Sequence, residues 1–320
     1  MPPPSRKTGT GPLAVIDIEG LRKEFRKLRG GSTVALDRLD LSVPEGGVYG
    51  FLGPNGAGKT TTIRCLLGLV RPTHGRVRLL GAESSAELAR VIGRIGSIVE
   101  SPAMYPRFSG RRNLQLLGRL NGIGERTVDR ILERVGLQDR ADDHVRTYSL
   151  GMKQRLGIGA ALLKEPELLI LDEPANGLDP AGIKEVRDLL RTLGADGRTV
   201  FVSSHQLPEV QMMCDRVAIL SRGRCVVAGP VGEVLARGRH EALIVRVADL
   251  RAGLEALSAA GIDAALDSDH LRVSLPITEA ARVTEVLARS HLYLSELRPE
   301  EVSLESVFLE LTQDTKEPEA

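Results

Sequence analysis

Residues 53–60 combine glycines, a lysine and a hydroxyl at the spacing of a phosphate-binding loop. The segment reads Gly53-Pro54-Asn55-Gly56-Ala57-Gly58-Lys59-Thr60 and matches the pattern GxxxxGK[ST]. Glycines let successive N–H groups point at one anion, and a helix that begins after them adds its positive end. We expect Lys59 to reach the β- and γ-phosphates of ATP, Thr60 to bind Mg²⁺, and Thr61 to lie in the same nucleotide site.

Two carboxylates follow a continuous apolar stretch. The run Leu168-Leu169-Ile170-Leu171 precedes Asp172 and Glu173, and open α/β sheets bind ligands at the carboxyl ends of their strands. Asp172 is predicted to hold Mg²⁺ on the nucleotide, and Glu173 to orient or deprotonate the attacking water. An acidic loop after a buried strand is the alternative for this pair, and the phosphate loop in the same chain favours the catalytic interpretation.

The elements that must position these residues alternate between strands and helices. Buried, non-alternating strands separated by helices indicate a mostly parallel sheet covered on both faces. Residues 101–165 are mostly helical in pattern, which predicts an α-helical insertion into this α/β unit. The predicted strands are 47–52, 167–171 and 199–203, and the predicted helices are 58–69, 113–120, 125–135 and 183–193.

The C-terminal part of the chain has a different order of elements. Its pattern predicts β-α-β-β-α-β, which is the ferredoxin-like arrangement, followed by a helix capped by Ser303. We therefore predict a P-loop ATPase core of the α/β class with a small C-terminal α+β domain. The predicted bounds are a disordered N-terminus (1–12), an ATP-binding domain (13–237), a C-terminal domain (241–312) and a disordered tail (313–320). Within the C-terminal domain the predicted strands are 242–247, 264–266, 271–275 and 292–297, and the helices are 250–260, 278–288 and 303–311.

Composition excludes several classes of protein. The 320 residues suit about two domains, and 43 basic against 42 acidic residues give no overall attraction to nucleic acid. No uninterrupted apolar run reaches the ~18 residues that cross a bilayer. Charge is uneven, however: residues 241–320 contain 7 basic and 16 acidic residues, a net of −9, against 36 and 26, a net of +10, in the remainder. Two domains of opposite electrostatic character are expected.

Further segments, in the same order along the chain, make residues 14–235 similar to the ATP-binding subunits of ABC transporters. The segment Tyr148-Ser149-Leu150-Gly151-Met152-Lys153-Gln154-Arg155 resembles the family's signature, and Asn176-Gly177-Leu178-Asp179 resembles its D-loop. His205, after the predicted strand 199–203, resembles the switch histidine. Phe25 occupies the place of the aromatic that stacks on adenine, and an ordinary core aromatic is the alternative for it.

The resemblance implies a composite site. In this family the signature of one subunit faces a nucleotide on the phosphate loop of another, so Ser149, Gly151 and Asp179 are expected to lie against ATP in a homodimer or heterodimer of such subunits. His205 is expected to hydrogen-bond the γ-phosphate, with a satisfied structural histidine as the alternative. A separate transmembrane permease would hold the chain at the cytoplasmic face of the cell membrane.

Two departures from the family pattern concern the site. The usual signature is LSGGQ, whereas Leu150 and Met152 replace a glycine and the glutamine here. Glu100 stands where the family places a glutamine near Mg²⁺, and a carboxylate can ligate that ion as well. We expect these changes to modulate hydrolysis and not to abolish it, because Lys59, Asp172, Glu173 and His205 are present.

The same departures resemble the bacitracin-export and lantibiotic-immunity branch of the family. Glu100, the segment 101–105, the altered signature and the segment 303–308 carry this likeness. It implies export of an antibiotic, peptide or other drug-like substrate through the permease. The alternatives are a soluble, non-transport ABC ATPase, or a transporter of another substrate class such as lipid or polysaccharide. A single phosphate loop and the lack of sustained heptads disfavour ribosome-acting and chromosome-acting relatives.

The function of the C-terminal domain stays open between three interpretations. An RNA-binding sheet would need stacking aromatics, which the strand 271–275 lacks, and the net charge of −9 repels phosphate. No nucleic-acid partner is therefore expected. A regulatory or dimer-stabilising domain and a merely solvated acidic surface both remain compatible with the composition.

Overall fold

A six-stranded, mostly parallel sheet forms the centre of the first of two units in the computed structural model, which describes residues 14–26, 30–83, 87–100, 104–237, 242–300 and 303–313. Contacts divide the chain between Val234 and Leu235, and the second unit is Leu235–Glu310. The two predicted termini, residues 101–103 and residues 238–241 lie wholly or mostly outside the described residues. The observed division falls just before the predicted end of the ATP-binding domain at residue 237.

The described strands of the first unit run from β1 to β10. In chain order they are β1 (Ala14–Arg26), β2 (Ser32–Pro44), β3 (Gly47–Leu52), β4 (His74–Leu79), β5 (Ala82–Glu83), β6 (Ile95–Ile98), β7 (Leu168–Asp172), β8 (Thr199–Ser204), β9 (Arg216–Ser221) and β10 (Arg224–Pro230). The helices are α1 (Lys59–Leu66), α2 (Leu88–Val91), α3 (Gly110–Arg119), α4 (Glu125–Arg134), α5 (Leu150–Leu162), α6 (Pro180–Ala195) and α7 (Leu207–Met213), and α8 (Val231–Arg237) spans the division.

The central sheet has the strand order β10-β9-β3-β8-β7-β6. Its strands β3, β6, β7, β8 and β9 are parallel, and only the β9–β10 pair is antiparallel. All five residues of β7 are buried, as expected for a strand covered on both faces. The predicted fold class, an α/β unit with a mostly parallel sheet, is confirmed.

A second, antiparallel sheet was not predicted. It has the order β2-β1-β4-β5, and its core residues alternate along the strands, as Ile16 and Ile18 do in β1. Such alternation is the signal of a half-buried strand. Charged residues in β1, such as Arg22 and Glu24, obscure this signal, because they pair with each other on the exposed face.

Among the described residues between β6 and β7, three α-helices lie within the predicted insertion 101–165. Helix α3 begins at Ser109, whose hydroxyl accepts a hydrogen bond of 3.1 Å from the Arg112 N–H. Helix α5 begins in the same way at Ser149, which accepts one of 3.2 Å from Met152. Side-chain caps of this kind satisfy backbone donors that have no partner inside the helix. The predicted helices 113–120 and 125–135 are confirmed as α3 and α4, with slightly different ends.

The second unit is a four-stranded antiparallel sheet with helices. Its elements are β11 (Leu243–Val247), α9 (Leu250–Ala259), β12 (Ala264–Asp267), β13 (His270–Val273), α10 (Ala280–Arg289), β14 (Leu294–Pro299) and α11 (Leu304–Gln313). The strand order is β12-β13-β11-β14. This confirms the predicted β-α-β-β-α-β order, and Ser303 caps α11 as predicted, accepting from the Ser306 N–H at 3.1 Å. No helix in the described part of the chain is long and apolar enough to span a bilayer.

Candidate functional site

The strand order brings three separate parts of the sequence to one edge of the central sheet. Strand β8 lies between β3 and β7, and all three are parallel. The register pairs Leu52 with Ser204 and Asp172 with Ser203. The phosphate loop after β3, the carboxylates at the end of β7 and the histidine after β8 are therefore neighbours. Ligands of open α/β sheets bind at this carboxyl edge.

Glycine conformations shape the predicted phosphate loop. Gly56 and Gly58 have φ values of +81° and +107°, a region in which L side chains are strained. Helix α1 begins directly after Gly58, so its first N–H groups face the loop. A helix start beside a glycine-rich turn is a binding site for anions. The local geometry thus fits a phosphate group.

Glu173 contacts both of the other predicted catalytic residues. Its Oε1 lies 3.2 Å from Lys59 Nζ, and its Oε2 lies 2.8 Å from His205 Nδ1. Lys59 is only 6% exposed and also donates to the Gly53 carbonyl at 2.6 Å. One carboxylate therefore bridges the two groups that were predicted to face a γ-phosphate. An anion of similar size and charge can replace it between the same two donors.

The backbone of Glu173 is left-handed, with φ of +49°. Such a conformation is uncommon for a residue other than glycine and is found at functional sites. The Glu173 N–H donates to the Ser203 hydroxyl at 3.0 Å, and the same hydroxyl donates to Asp172 Oδ1 at 2.5 Å. Sequence reasoning missed Ser203, because a serine at the end of a buried strand carries no motif of its own.

A pocket of about 320 Å³ opens at this edge. Ala35 and Asn176 line it and had not been predicted as site residues, although Asn176 belongs to the D-loop segment. The predicted site residues that line it are Pro54, Asn55, Gly56, Gly58, Lys59, Thr60, Thr61, Glu173 and His205. Gly53 and Ala57 belong to the same loop, but they are buried and do not line the pocket.

Asp172 and Thr60 carry the oxygen donors that Mg²⁺ prefers, Thr60 in the lining of the pocket and Asp172 at the end of β7. Asp172 is 7% exposed, and its carboxylate has a hydroxyl partner, Ser203, but no ion pair with a cation among the described residues. A buried carboxylate normally needs a positive partner. Oxygen ligands from one or two side chains plus phosphate oxygens are the usual environment of Mg²⁺.

Three further predicted nucleotide or metal residues, Phe25, Glu100 and Asp172, are not among the residues that line the pocket. Phe25, near the end of β1, is 43% exposed, which excludes the core alternative, and Lys23 Nζ lies 4.9 Å from the centre of its ring. Glu100 has a left-handed backbone with φ of +69°, and its side chain is 68% exposed and ion-paired with Arg64. The structure thus places Glu100 next to α1, where its carboxylate pairs with Arg64 of that helix and does not line the pocket.

The signature residues and the D-loop residue Asp179 also lie outside the lining of the pocket, whereas Asn176 of the D-loop is part of it. The signature and the D-loop pack against each other. A Cβ built on Gly151 would lie 3.7 Å from the Gly182 Cα, and one built on Gly177 would lie 3.4 Å from Leu150. Asp179 caps α6 by accepting from the Gly182 N–H at 3.1 Å.

The turn between β9 and β10 hydrogen-bonds to the phosphate loop. The Gly223 N–H donates to the Ala57 carbonyl at 3.0 Å, and the Gly223 carbonyl accepts from Asp37 at 3.0 Å. Gly223 has φ of +76°, and a Cβ there would lie 2.6 Å from the Ala35 carbonyl oxygen. This turn joins the loop to the antiparallel sheet, and no local sequence pattern predicted it.

Comparison with known proteins decides the family. Residues 36–176 match the family model described as ABC transporter. The bacitracin transport ATP-binding protein BcrA of Bacillus licheniformis is 47% identical over 211 residues, covering 65% of this chain and 69% of that protein. The chain belongs to the ATP-binding proteins of ABC transporters. The resemblance drawn from its motifs is confirmed.

Other relatives agree with this membership. The lantibiotic transport ATP-binding protein SrtF of Streptococcus pyogenes is 38% identical over 213 residues, covering 67% of this chain and 90% of that protein. Among solved structures, cbiO1 from Clostridium perfringens, part of the ABC transporter complex cbiONQ, superposes with a TM-score of 0.62 at 29% identity, covering 70% of this chain and 91% of that one. As an ABC ATP-binding protein, the chain has a fold that binds nucleotide.

Proposed function

We propose that the chain hydrolyses Mg-ATP to drive export of an antibiotic, peptide or other drug-like compound through a separate membrane subunit. The observation that carries the chemistry is the position of Glu173 at the edge of a parallel sheet, where its carboxylate lies 3.2 Å from Lys59 and 2.8 Å from His205. The bacitracin and lantibiotic transport relatives support the substrate class.

In this proposal each residue of the pocket has a distinct task. The loop N–H groups and Lys59 bind the phosphates, and the oxygens of Thr60 and Asp172 would hold Mg²⁺, which would supply further positive charge there. When the γ-phosphate takes its place between Lys59 and His205, Glu173 is released to orient and deprotonate the attacking water. The exposed ring of Phe25 stacks on adenine.

The proposal assigns Ser149, Gly151 and Asp179 to a second site of contact. They are exposed or lie next to the exposed start of α5, outside the pocket of their own chain. A partner's nucleotide would meet the start of α5, where N–H groups and the helix dipole favour an anion. Two ATP-binding units therefore close on two ATP molecules, on the cytoplasmic face of a membrane. Glu100 would join the Mg²⁺ ligands only by leaving Arg64.

ATP hydrolysis by the purified chain together with its permease tests the proposal. Glu173→Gln keeps the size of the side chain and removes the base, so we expect the rate to fall by about 10²–10⁴-fold. Glu185→Gln is the control, because Glu185 lies on α6 and pairs with Arg155. Undiminished hydrolysis in Glu173→Gln would remove Glu173 from its role.

A resistance assay tests the substrate class. Cells expressing the chain and its permease should tolerate higher concentrations of bacitracin, a lantibiotic or a drug of that kind, and Lys59→Ala should abolish the gain. Equal sensitivity with and without the pair, across peptide and small-molecule antibiotics, would contradict drug export while leaving the ATPase assignment intact.

A further inference from the structure

One buried hydroxyl, that of Ser203, bonds to both acidic residues of the site: to the carboxylate of Asp172 and to the backbone N–H of Glu173. Ser203 is 0% exposed and lies in β8, between the strand that leads to the phosphate loop and the strand that ends at Asp172. Its Oγ donates to Asp172 Oδ1 at 2.5 Å and accepts from the Glu173 N–H at 3.0 Å. A serine hydroxyl has one proton to donate and two lone pairs to accept, so both bonds form at once.

The two acidic residues need this support for different reasons. Asp172 is buried, and the Ser203 hydroxyl is the only side chain of the described residues that hydrogen-bonds to its carboxylate. Without that donor the carboxylate has no fixed orientation. Glu173 has a left-handed backbone, which persists only when its surroundings hold it in place. The bond from its N–H to Ser203 provides such a hold.

We propose that Ser203 is the positioning residue that sets Asp172 for Mg²⁺ and Glu173 for the attacking water. This inference rests on the proposed function and deepens it. Ser203 is absent from the lining of the pocket and acts through its two neighbours. Groups that orient a metal ligand from behind typically change metal affinity or activity by about 10–100-fold when they are lost.

Ser204 is a matched neighbour without this role. Its hydroxyl accepts from the Gln206 N–H at 3.0 Å, in the turn that leads to α7. The two serines are adjacent in the same strand and have the same volume, but only Ser203 hydrogen-bonds to Asp172 and Glu173. Ser204→Ala therefore controls for the loss of a hydroxyl at this sheet edge.

Binding of a fluorescent ATP analogue, with and without Mg²⁺, tests the proposal independently of hydrolysis. In Ser203→Ala we expect metal-free affinity within about twofold of wild type, while the Mg²⁺ concentration for half-maximal effect on binding rises about 10-fold. The kcat for ATP should fall about 10–100-fold with KM changed less than about threefold. Ser204→Ala should match wild type in every measurement.

Ser203→Cys guards against a folding defect, because cysteine is close in size but its thiol is a weak donor. Ser203→Cys should show the same selective loss of Mg²⁺ response. Ser203→Thr, which keeps the hydroxyl, should retain most of the wild-type Mg²⁺ response. Wild-type Mg²⁺ dependence in both Ser203→Ala and Ser203→Cys would overturn the proposal. So would an equal loss of metal-free binding. If the wild type itself fails to hydrolyse ATP, the proposed function fails, and the Mg²⁺ response still decides the role of Ser203.

Discussion

The two units of the chain are both built on sheets with helices, but they use their polar residues differently. In the parallel sheet of the first unit, Lys59, Asp172 and His205 reach one edge from three distant parts of the sequence. In the antiparallel sheet of the second unit, charged residues neutralise each other across neighbouring strands, as Arg246 of β11 does with Glu296 of β14 at 3.2 Å. Parallel strands end at the same edge, whereas antiparallel strands end alternately at opposite edges. Parallel connection therefore concentrates chemistry at one place.

Several acidic residues of the second unit are paired with nearby arginines and are not gathered into one site. Arg246 pairs with Asp269 at 2.7 Å and with Glu296 at 3.2 Å. The pKa of Asp269 is held below its usual range chiefly by a hydrogen bond from His270. The pKa of Glu296 is lowered chiefly by a hydrogen bond from Arg298. Asp269 and Arg246 are exposed and Glu296 is partly exposed, so each pair contributes little to stability. A regulatory or dimer-stabilising role for this acidic unit stays a prediction, as does the solvated-surface alternative.

Among these substitutions, removal of the phosphate-binding cation should have the largest effect, and that effect is on ATP hydrolysis. Lys59→Ala takes away a buried ammonium that no other described side chain replaces in the pocket. We expect ATP hydrolysis to fall by more than about 100-fold, because electrostatic stabilisation of phosphates is the main task of such a site. Lys184→Ala on α6 is the control for the loss of a lysine. Measurement of phosphate release at saturating ATP decides, and retention of activity would show that the edge does not concentrate the chemistry.

A smaller effect is expected from the turn beneath the phosphate loop. Gly223→Ala introduces a Cβ 2.6 Å from the Ala35 carbonyl oxygen at φ of +76°. We expect a loss of about 1–3 kcal/mol in the free energy of unfolding, together with weaker nucleotide binding. Gly197→Ala separates the causes, since Gly197 has φ of +87° but nothing within 4 Å of its built Cβ. Equal loss of nucleotide binding in the two variants, measured by equilibrium titration, would contradict support of the loop by this turn.

A substitution in the second unit should leave the chemistry unchanged. Arg272→Met breaks the ion pair between Arg272 and Glu300. The Arg272 side chain is 35% exposed and the Glu300 side chain is 32% exposed. We expect a destabilisation below about 1 kcal/mol in chemical denaturation, because partly exposed pairs are weak, and wild-type ATP affinity. A clear change in ATP affinity would show that the two units are coupled in nucleotide binding.

The smallest effect is expected in the pH dependence of stability. Hydrogen bonding from Arg224 holds the pKa of Asp37 below its usual range, with Arg22 adding to it. A carboxyl with a lowered pKa in the folded state stabilises the protein above its unfolded pKa, and that contribution is lost as pH falls through the folded value. The melting temperature of Asp37→Asn should therefore approach that of wild type as pH falls below about 4. An unchanged difference between pH 7 and pH 3 would contradict the linkage.

Local patterns predicted more of the fold and the site than long-range contacts did. The loop at 53–60 and the carboxylates after β7 carry their chemistry in consecutive residues, so spacing alone indicated them. Ser203 and Gly223 matter through neighbours far away in the sequence, Asp172 and Ala57. No periodicity or motif reports such contacts. The sheet that contains β1 and β2 was missed because exposed charges interrupt its alternation.

The orientation of side chains was also beyond sequence reasoning. Glu100 was placed near Mg²⁺ by its position in the family pattern, and the structure pairs it with Arg64. Glu173 was assigned as the base, and the structure adds that its carboxylate lies between Lys59 and His205. Such pairings depend on which cation the backbone brings within reach of each carboxylate.

When Mg-ATP is bound, we expect the pocket of one chain to be completed by the surface around Ser149 and Asp179 of another. Light scattering of Glu173→Gln at saturating Mg-ATP measures whether such a dimer forms. We expect a mass twice that of the single chain with Mg-ATP, and the single-chain mass with Mg-ADP or when Ser149→Arg is added to block the surface. A single-chain mass at saturating, bound Mg-ATP, with the permease present or absent, would contradict it.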